Sequence, residues 1–417
     1  MSEVGKREKK DNKDKIDNKE HKGKTVKVVK KKKKKSAWKV IRIILLILLI
    51  AILACCAAVY FYIKSKLNLI QTETIDTTDV GITQEAEENL KSFRNIALFG
   101  IDSRQDDYGV GNRSDCIIVA SINESTGEIK LVSIYRDTMV DVDEYGKTIL
   151  DKITHAYSFG TAQNAIKSIN RALDLNIKEY VTVNFDSLVD AIDAIGGVTI
   201  TVTNEELKYI NPYVHETSRV SKVPSADVTT AGTQTLNGVQ AVAYSRIRYT
   251  AGGDAKRTER HRIVLEAMLT KAKSLGIKEL NNAANVILPK VSTNIPAGEI
   301  TSTLLSAGKF SIKQSVGWPY ANRGITIDRW YGVPVTLETN VVRLHKEVFG
   351  DEDYQPSEVV VDMSNRIKAK TVCCINAIVI CIISCSNNFV ITIFNLYITV
   401  IITISSIIII CICNCWK

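Results

Sequence analysis

The chain has 417 residues, with 54 Lys+Arg against 45 Asp+Glu, and 45% of it is hydrophobic. That composition excludes a wholly disordered chain, a collagen and a disulfide-dense mini-protein, and the length allows two or three domains or one large domain with appendages. The formal charge of +9 is unevenly placed: residues 1–43 hold 18 basic and 6 acidic residues, a balance of +12 that leaves −3 for the remainder.

Met1–Ser36 is Lys-rich and ends in the run Lys30–Lys35. It has too little apolar surface to offset its ordering entropy and is expected to be disordered. Ile43–Ile63 follows, 21 residues without a charge, enough to cross a hydrocarbon core of about 30 Å. An anchor is therefore expected over residues 37–63. The basic excess precedes it, so the positive-inside rule keeps the N-terminus cytoplasmic and sends the rest outside. A topogenic, lipid-attracted tail explains this segment better than a nucleic-acid-binding arm. Ile52–Cys55 and Ala57-Ala58 leave cleavage conceivable, but the long charged region before them favours an uncleaved anchor.

Residues 64–92 are polar and Thr/Glu-rich, which reads as an outer stalk. A folded domain is expected over residues 93–365. Asn95–Ile101, Cys116–Ile122 and Ile129–Ile134 are apolar runs that fit strands, the last two joined by the turn-rich Asn123–Gly127. Ala162, Ala165, Ile166, Ile169 and Leu173 repeat at helical spacing. Tyr180–Phe185 reads as a strand, Asp186 as the cap of a helix, Gly196-Gly197 as its stop, and Val198–Val202 as a strand. A further helix is predicted over Arg257–Ser274, and the domain fades after Met363. Alternating strands and helices define an α/β class. The first three strands sit too close together for helical crossovers, so the sheet should be mixed.

Residues 366–417 form an Ile/Cys-rich tail, and seven of the ten cysteines fall within 371–417. Phe389–Cys413 is long enough for a second span, but the abrupt change in residue usage favours an aberrant extension. Between Lys64 and Lys370 there is one cysteine, Cys116, read as core filler because no base neighbours it in sequence.

Strand direction brings chemistry together. If the first strand runs up, its top carries Asp102 and Arg104. The second runs down from Arg113-Ser114-Asp115, and the third runs up to Arg136-Asp137. Two carboxylates at that edge could hold a hard divalent cation such as Mg²⁺, and the arginines offer planar donors suited to phosphate. A second basic group comprises Arg246 and Arg248, placed by their spacing on one strand face, and Arg257, Arg260 and His261 on one helix face. Taken singly, each Arg–Asp pair is more often a surface ion pair worth less than about 1 kcal/mol. There is no P-loop, GxSxG or HExxH, which disfavours Walker-type hydrolysis, serine hydrolysis and zinc proteolysis.

Leu98–Arg104, Asn112–Asp115, Val132–Thr138, Lys152–Tyr157, Val183–Asp186, Leu236–Ala241, Arg246–Arg248 and Gly253–Arg262 together resemble the LytR–CpsA–Psr family of envelope proteins, in the family's order. The resemblance implies a three-layer α/β/α sandwich. It also implies transfer of a glycopolymer (teichoic acid, capsule or similar) from a polyprenyl-pyrophosphate donor to peptidoglycan at a membrane lipid surface, releasing polyprenyl phosphate. In that reading Asp102 and Asp115 hold Mg²⁺, while Arg113, Arg136 and Asp137 form the catalytic group. Arg104, Lys152, Arg246, Arg248, Arg257, Arg260 and His261 grip the pyrophosphate. Asp137 would orient Arg136 or assist removal of the acceptor proton. Two positions depart from the family pattern: His261 stands where Gln is commoner, giving a hydrogen bond whose strength would vary with pH, and Cys116 where a hydroxyl residue is common. The competing readings are a membrane-anchored regulator with a nucleic-acid-binding tail, and a lipid-pyrophosphate binder or pyrophosphatase that transfers nothing.

Overall fold

The computed structural model describes residues 37–67, 71–72, 74–103, 107–296, 299 and 310–385. The Lys-rich tail, Arg104 and the candidate span Phe389–Cys413 lie outside them. Residues up to Val59 form one compact unit, and residues from Tyr60 onward another. Helix α1 (Ala37–Leu67) contains Ile41–Tyr62, a stretch long and apolar enough to cross a membrane.

In the second unit β1 (Gln71–Thr72) and α2 (Gln84–Asn89) come first. Thr83 caps α2 by accepting the Ala86 amide at 3.1 Å. Val80 and Leu90 on either side are 1% exposed. The expected stalk is therefore corrected: from about residue 80 its apolar residues are packed into the domain, because each of them has a core to enter.

Next come β2 (Phe93–Ile101), β3 (Ser114–Asn123), β4 (Glu128–Ile134), β5 (Met139–Glu144), β6 (Lys147–Lys152), α3 (Ile153–Leu173), β7 (Glu179–Asn184) and α4 (Phe185–Ala194). They are followed by β8 (Val198–Val202), α5 (Asn204–Ser221), β9 (Gly232–Leu236), α6 (Gly238–Arg246), α7 (Gly253–Ser274), α8 (Ile277–Ile287) and β10 (Ser292–Thr293). Last are β11 (Ser311–Trp318), β12 (Asn322–Thr326), β13 (Trp330–Pro334), α9 (Leu337–Leu344) and α10 (Glu358–Cys385). Among the described residues, seven strands form the central sheet in the order β1-β10-β7-β2-β3-β4-β11. β2, β3 and β4 are antiparallel neighbours, while β7 lies parallel to β2 and β11 parallel to β4. The sheet is mixed, as expected. β5–β6, β8–β9 and β12–β13 are separate two-stranded ribbons.

Alternation along the strands divides the sheet's two faces. Phe99, Ile101, Ile117, Val119 and Ile134 pack with α3, α9 and α10 through Ile166, Ile169, Val341, Leu344, Met363 and Ile367. The opposite face, carrying Leu98, Cys116 and Ile118, is covered by α4, α7 and α8, and a second core joins α4, α5, α6 and α7 to β8 and β9. The result is a three-layer α/β/α sandwich.

Several local expectations shift. Asn184, not Asp186, caps α4, accepting the Ser187 amide at 2.7 Å, because β7 runs directly into the helix. Gly196 and Gly197 stop it at φ +80° and +84°, backbone angles that disfavour a Cβ. α3 begins at Ile153, ahead of the expected start near residue 161, and its backbone kinks at Gly160-Thr161. The strand expected to carry Arg246 and Arg248 is corrected: Arg246 ends α6, whose start is fixed by reciprocal Asn237–Gln240 capping, and Arg248 sits in the loop beyond. Nor does the domain fade after Met363. Ile367 and Thr371 are buried, and Arg366 grips the buried Asp141.

Candidate active site

The sheet register gathers the predicted edge. Ile101 faces Ser114 across β2–β3, and the Asp102 amide donates to the Arg113 carbonyl at 3.1 Å. β4 ends at the same edge, followed by Tyr135-Arg136-Asp137. That turn is pinned from three sides: the Tyr135 amide donates to Trp318, the Thr154 amide to the Arg136 carbonyl (3.1 Å), and the Gly332 amide to the Asp137 carbonyl (2.9 Å). Arg136 Nη1 donates to Asp115 Oδ1 at 2.7 Å, and its Nε lies 3.4 Å from Asp137 Oδ2. Lys152 Nζ reaches Asp137 Oδ1 at 2.6 Å. Arg113 and Asp102 are exposed at the rim.

The second basic group divides in two. Arg257 is 3% exposed and bonds Asp254, a carboxylate missed in sequence although its i, i+3 spacing to Arg257 was the available signal. Burial pushes the Asp115 carboxyl up, but Arg136 above all, then Arg257 and Arg248, hold it below the usual carboxylate range. Burial, the Asp254 charge acting oppositely, and the neighbouring Arg136 and Arg248 leave the Arg257 guanidinium with a lowered pKa. Asp254 is raised by burial first and also by the nearby Asp137. Arg136, Arg248 and Arg257 thus share one small volume with Asp115, Asp137 and Asp254. Buried there without a hydrogen-bond partner are Arg136 Nε, Arg257 Nε and Asp254 Oδ2. Orphaned buried donors are uncommon and mark a place for an acceptor.

Arg260 and Arg246 go elsewhere. Arg260 spends its donors inside the fold, on Glu206 Oε1 (2.8 Å), the Ile247 carbonyl (3.0 Å) and Thr250 Oγ1 (2.6 Å). It is a strut that fixes the loop presenting Arg248, so the expectation that it grips pyrophosphate is corrected. Arg246 points to α5, where it meets Glu216 (3.1 Å), Thr217 (3.2 Å) and the Tyr213 ring. That expectation is corrected too. Helical geometry at residue 246 turns it away from Arg248.

Under the charged edge lies an apolar cavity of about 230 Å³ between the sheet and α4, α7 and α8. Leu98, Cys116, Ile118, Val183, Leu188 and Met268 line it, with His261. Burial pushes the Cys116 thiol up to about 12, which removes it as a nucleophile. Burial, reinforced by Arg257, drops His261 to about 3, so the ring is neutral near pH 7. The pH-dependent hydrogen bond expected of it is corrected accordingly. Sequence could not reveal this cavity, because its lining is ordinary core chemistry drawn from elements far apart in the chain.

No group of three or more His, Cys, Asp or Glu converges as a metal cage among the described residues. Asp102 and Asp115, which the β2–β3 pairing brings to the same edge, are the two carboxylates that would meet a hard cation there. Two carboxylates suit Mg²⁺, which keeps places for phosphate oxygens and water.

Guanidiniums crowded beside an apolar cavity, close enough for Arg257 and Arg136 to act on its His261, define a binder of anions that carry a hydrophobic chain. The chain belongs to the LytR_cpsA_psr family, whose model matches residues 58–323. It is 32% identical over 264 residues to a polyisoprenyl-teichoic acid–peptidoglycan teichoic acid transferase, TagU, from Enterococcus faecalis, covering 62% of this chain and 81% of the relative. The same-named protein of Bacillus subtilis is 30% identical over 214 residues, 51% of this chain and 63% of that one. Among solved structures, protein gbs0355 from Streptococcus agalactiae has a TM-score of 0.54 at 24% identity, covering 66% of this chain and 92% of that one. TagT bound to LIIa-WTA gives a TM-score of 0.50 at 24% identity, covering 63% and 92%. These two establish likeness of fold.

Proposed function

We propose that this chain transfers a wall polymer, teichoic acid by its named relatives, from a polyprenyl-pyrophosphate carrier to peptidoglycan, releasing polyprenyl phosphate. What supports this most is the trio Arg136, Arg248 and Arg257, with unpartnered N–H groups on Arg136 and Arg257, set beside an apolar cavity whose His261 lies within the fields of Arg257 and Arg136. The cavity takes the prenyl chain and the guanidiniums take the diphosphate. α1 holds the domain at the membrane, and the Lys-rich segment preceding it puts the domain outside.

An acceptor hydroxyl oxygen forms a bond to the sugar-side phosphorus while the bridging P–O bond breaks, and polyprenyl phosphate leaves with the bond pair. Phosphoryl transfer is mainly alignment and charge neutralisation. Arg136, locked by Asp115, and Arg257, locked by Asp254, meet the growing charge on the bridging oxygen without reorganising. Asp137 is tied to Lys152 and Arg136, which places it to orient Arg136 and to receive the acceptor proton late. Asp102 and Asp115 would hold a divalent cation, which supplies further charge neutralisation on the diphosphate.

Purified full-length protein in vesicles with lipid-linked teichoic acid and peptidoglycan is the test. The expected result is polymer covalently joined to glycan and one polyprenyl phosphate per join. Polyprenyl phosphate release without joined polymer would instead make the protein a pyrophosphatase.

A further inference from the structure

Lipid cavity and reacting edge leave one flank of the site unassigned, and an unusual tryptophan lies there. Trp330 opens β13 and is 46% exposed, although its neighbour Tyr331 is 2% exposed. Its indole lies on the β12–β13 ribbon where two glycines, Gly324 and Gly332, face each other in register. A Cβ on Gly324 would stand 2.7 Å from the indole Nε1, and one on Gly332 would stand 3.7 Å from the far edge of the ring. The missing side chains are what let the ring lie against the ribbon and turn its other side outward. The ribbon is tied to the reacting edge: Gly332 donates to the Asp137 carbonyl at 2.9 Å, and Lys152 Nζ, bonded to Asp137, lies 6.0 Å from the Trp330 ring centroid. Polar side chains flank it, with Arg329 4.0 Å from Asp151 and Asp328 accepting from Tyr331 at 2.9 Å.

From this geometry, and resting on the transfer reading above, we infer that Trp330 is the stacking platform for a pyranose ring of the acceptor glycan. An exposed indole presents a flat π face that matches the apolar C–H face of a sugar, while nearby charged groups suit its hydroxyls. The choice of acceptor over donor follows from the sheet. Leu98, Cys116 and Ile118 face the cavity, whereas Tyr331 and Val333 of the ribbon pack into the core of the opposite face, with Phe99 and Ile117. The lipid phosphate therefore departs on one side of the edge. In-line displacement requires the attacking oxygen on the other, which is the Trp330 side.

Trp330→Ala and Trp330→Phe in the full-length protein test this. With peptidoglycan strands as acceptor, Trp330→Ala should raise the acceptor KM roughly tenfold, leave the donor KM unchanged, and alter kcat less than about twofold. Trp330→Phe should recover most of the loss. In parallel, calorimetric binding of lipid-free, muramidase-released glycan should weaken by the same factor in Trp330→Ala. Unchanged acceptor KM and glycan binding would overturn the assignment while leaving the transferase intact, and so would a rise confined to the donor KM. Should the wild type transfer nothing, the transfer reading fails and the glycan-binding arm still decides the platform.

Discussion

Replacing Arg136 by Ala separates the structure's account of the site from a generic surface ion pair. Arg136 stands 2.7 Å from Asp115 with side-chain exposures of 22% and 17%, so the pair is mostly dry. Breaking a fully buried pair costs about 3–5 kcal/mol; solvent screening at this exposure brings that to about 1–2 kcal/mol, a melting shift of a few degrees. The catalytic loss should be larger. Removing one preorganised donor to developing charge costs about a hundred- to a thousandfold in kcat, or about 3–4 kcal/mol. Arg246→Ala is the control: the sequence reading puts Arg246 with Arg248 on the pyrophosphate, but the structure directs it to Glu216, so kcat should change less than about threefold. Transfer from lipid-linked donor, measured beside thermal melts, reads both quantities. Acid sensitivity adds a third check. Asp115 has a folded pKa below its usual 3.8, so its stabilising contribution is present above that value and is lost as pH falls through the folded one. Arg136→Ala should weaken that low-pH loss, leaving only the smaller pull of Arg257 and Arg248 on Asp115. Near-wild-type kcat for Arg136→Ala, or equal losses for Arg136→Ala and Arg246→Ala, would refute the assignment.

His261 is held at about 3 by burial and by Arg257, so it stays neutral from about pH 5 to 8. The kcat/KM pH profile of His261→Gln should superimpose on wild type, and a limb that moves with the substitution would count against the buried ring. Ala191 lines the apolar cavity from α4. Ala191→Phe should raise the donor KM at least about tenfold for a long prenyl chain and much less for a short one, as read by initial rates with the two donors. Arg366→Ala leaves the buried Asp141 with Arg171 alone, at 3.3 Å. A loss of about 2–3 kcal/mol, seen as a melting shift of several degrees, is expected if the core continues past residue 365.

How much of this was legible in the sequence depends on whether local pattern or distant packing decided each feature. The edge bearing Asp102, Asp115, Arg136 and Asp137 was readable because three strands joined by short connections have fixed directions, and direction alone brings their ends together. The family followed from ordered motifs. Arg246 and Arg248 were misread because a spacing of two fits a strand, while the Asn237–Gln240 capping box three residues apart was the stronger local signal and set a helix running to Arg246. Arg260 was grouped with Arg257 by helical spacing. Helix periodicity cannot say that a buried Glu206 waits on one side and Asp254 on the other. The cavity and the Trp330 platform needed tertiary structure, since Leu98 and Met268, or Gly332 and Asp137, become neighbours only in the folded domain.

Burying Arg257 and setting it within the fields of Arg136 and Arg248 costs free energy: burial first, and then those two cations, lower its pKa. Asp115 and Asp254 offset part of that cost and in doing so fix the guanidiniums in position, and Arg260 does the same for the Arg248 loop from inside the fold. A diphosphate supplies the rest of the offset. It follows that the protein should be markedly more stable with an anion of that kind bound, by the ordinary linkage of ligand affinity to folding. The same arrangement explains why no covalent nucleophile is needed: Cys116, the one thiol near the edge among the described residues, is kept protonated by its burial, and the chemistry rests on cations that were already in place before the substrate arrived.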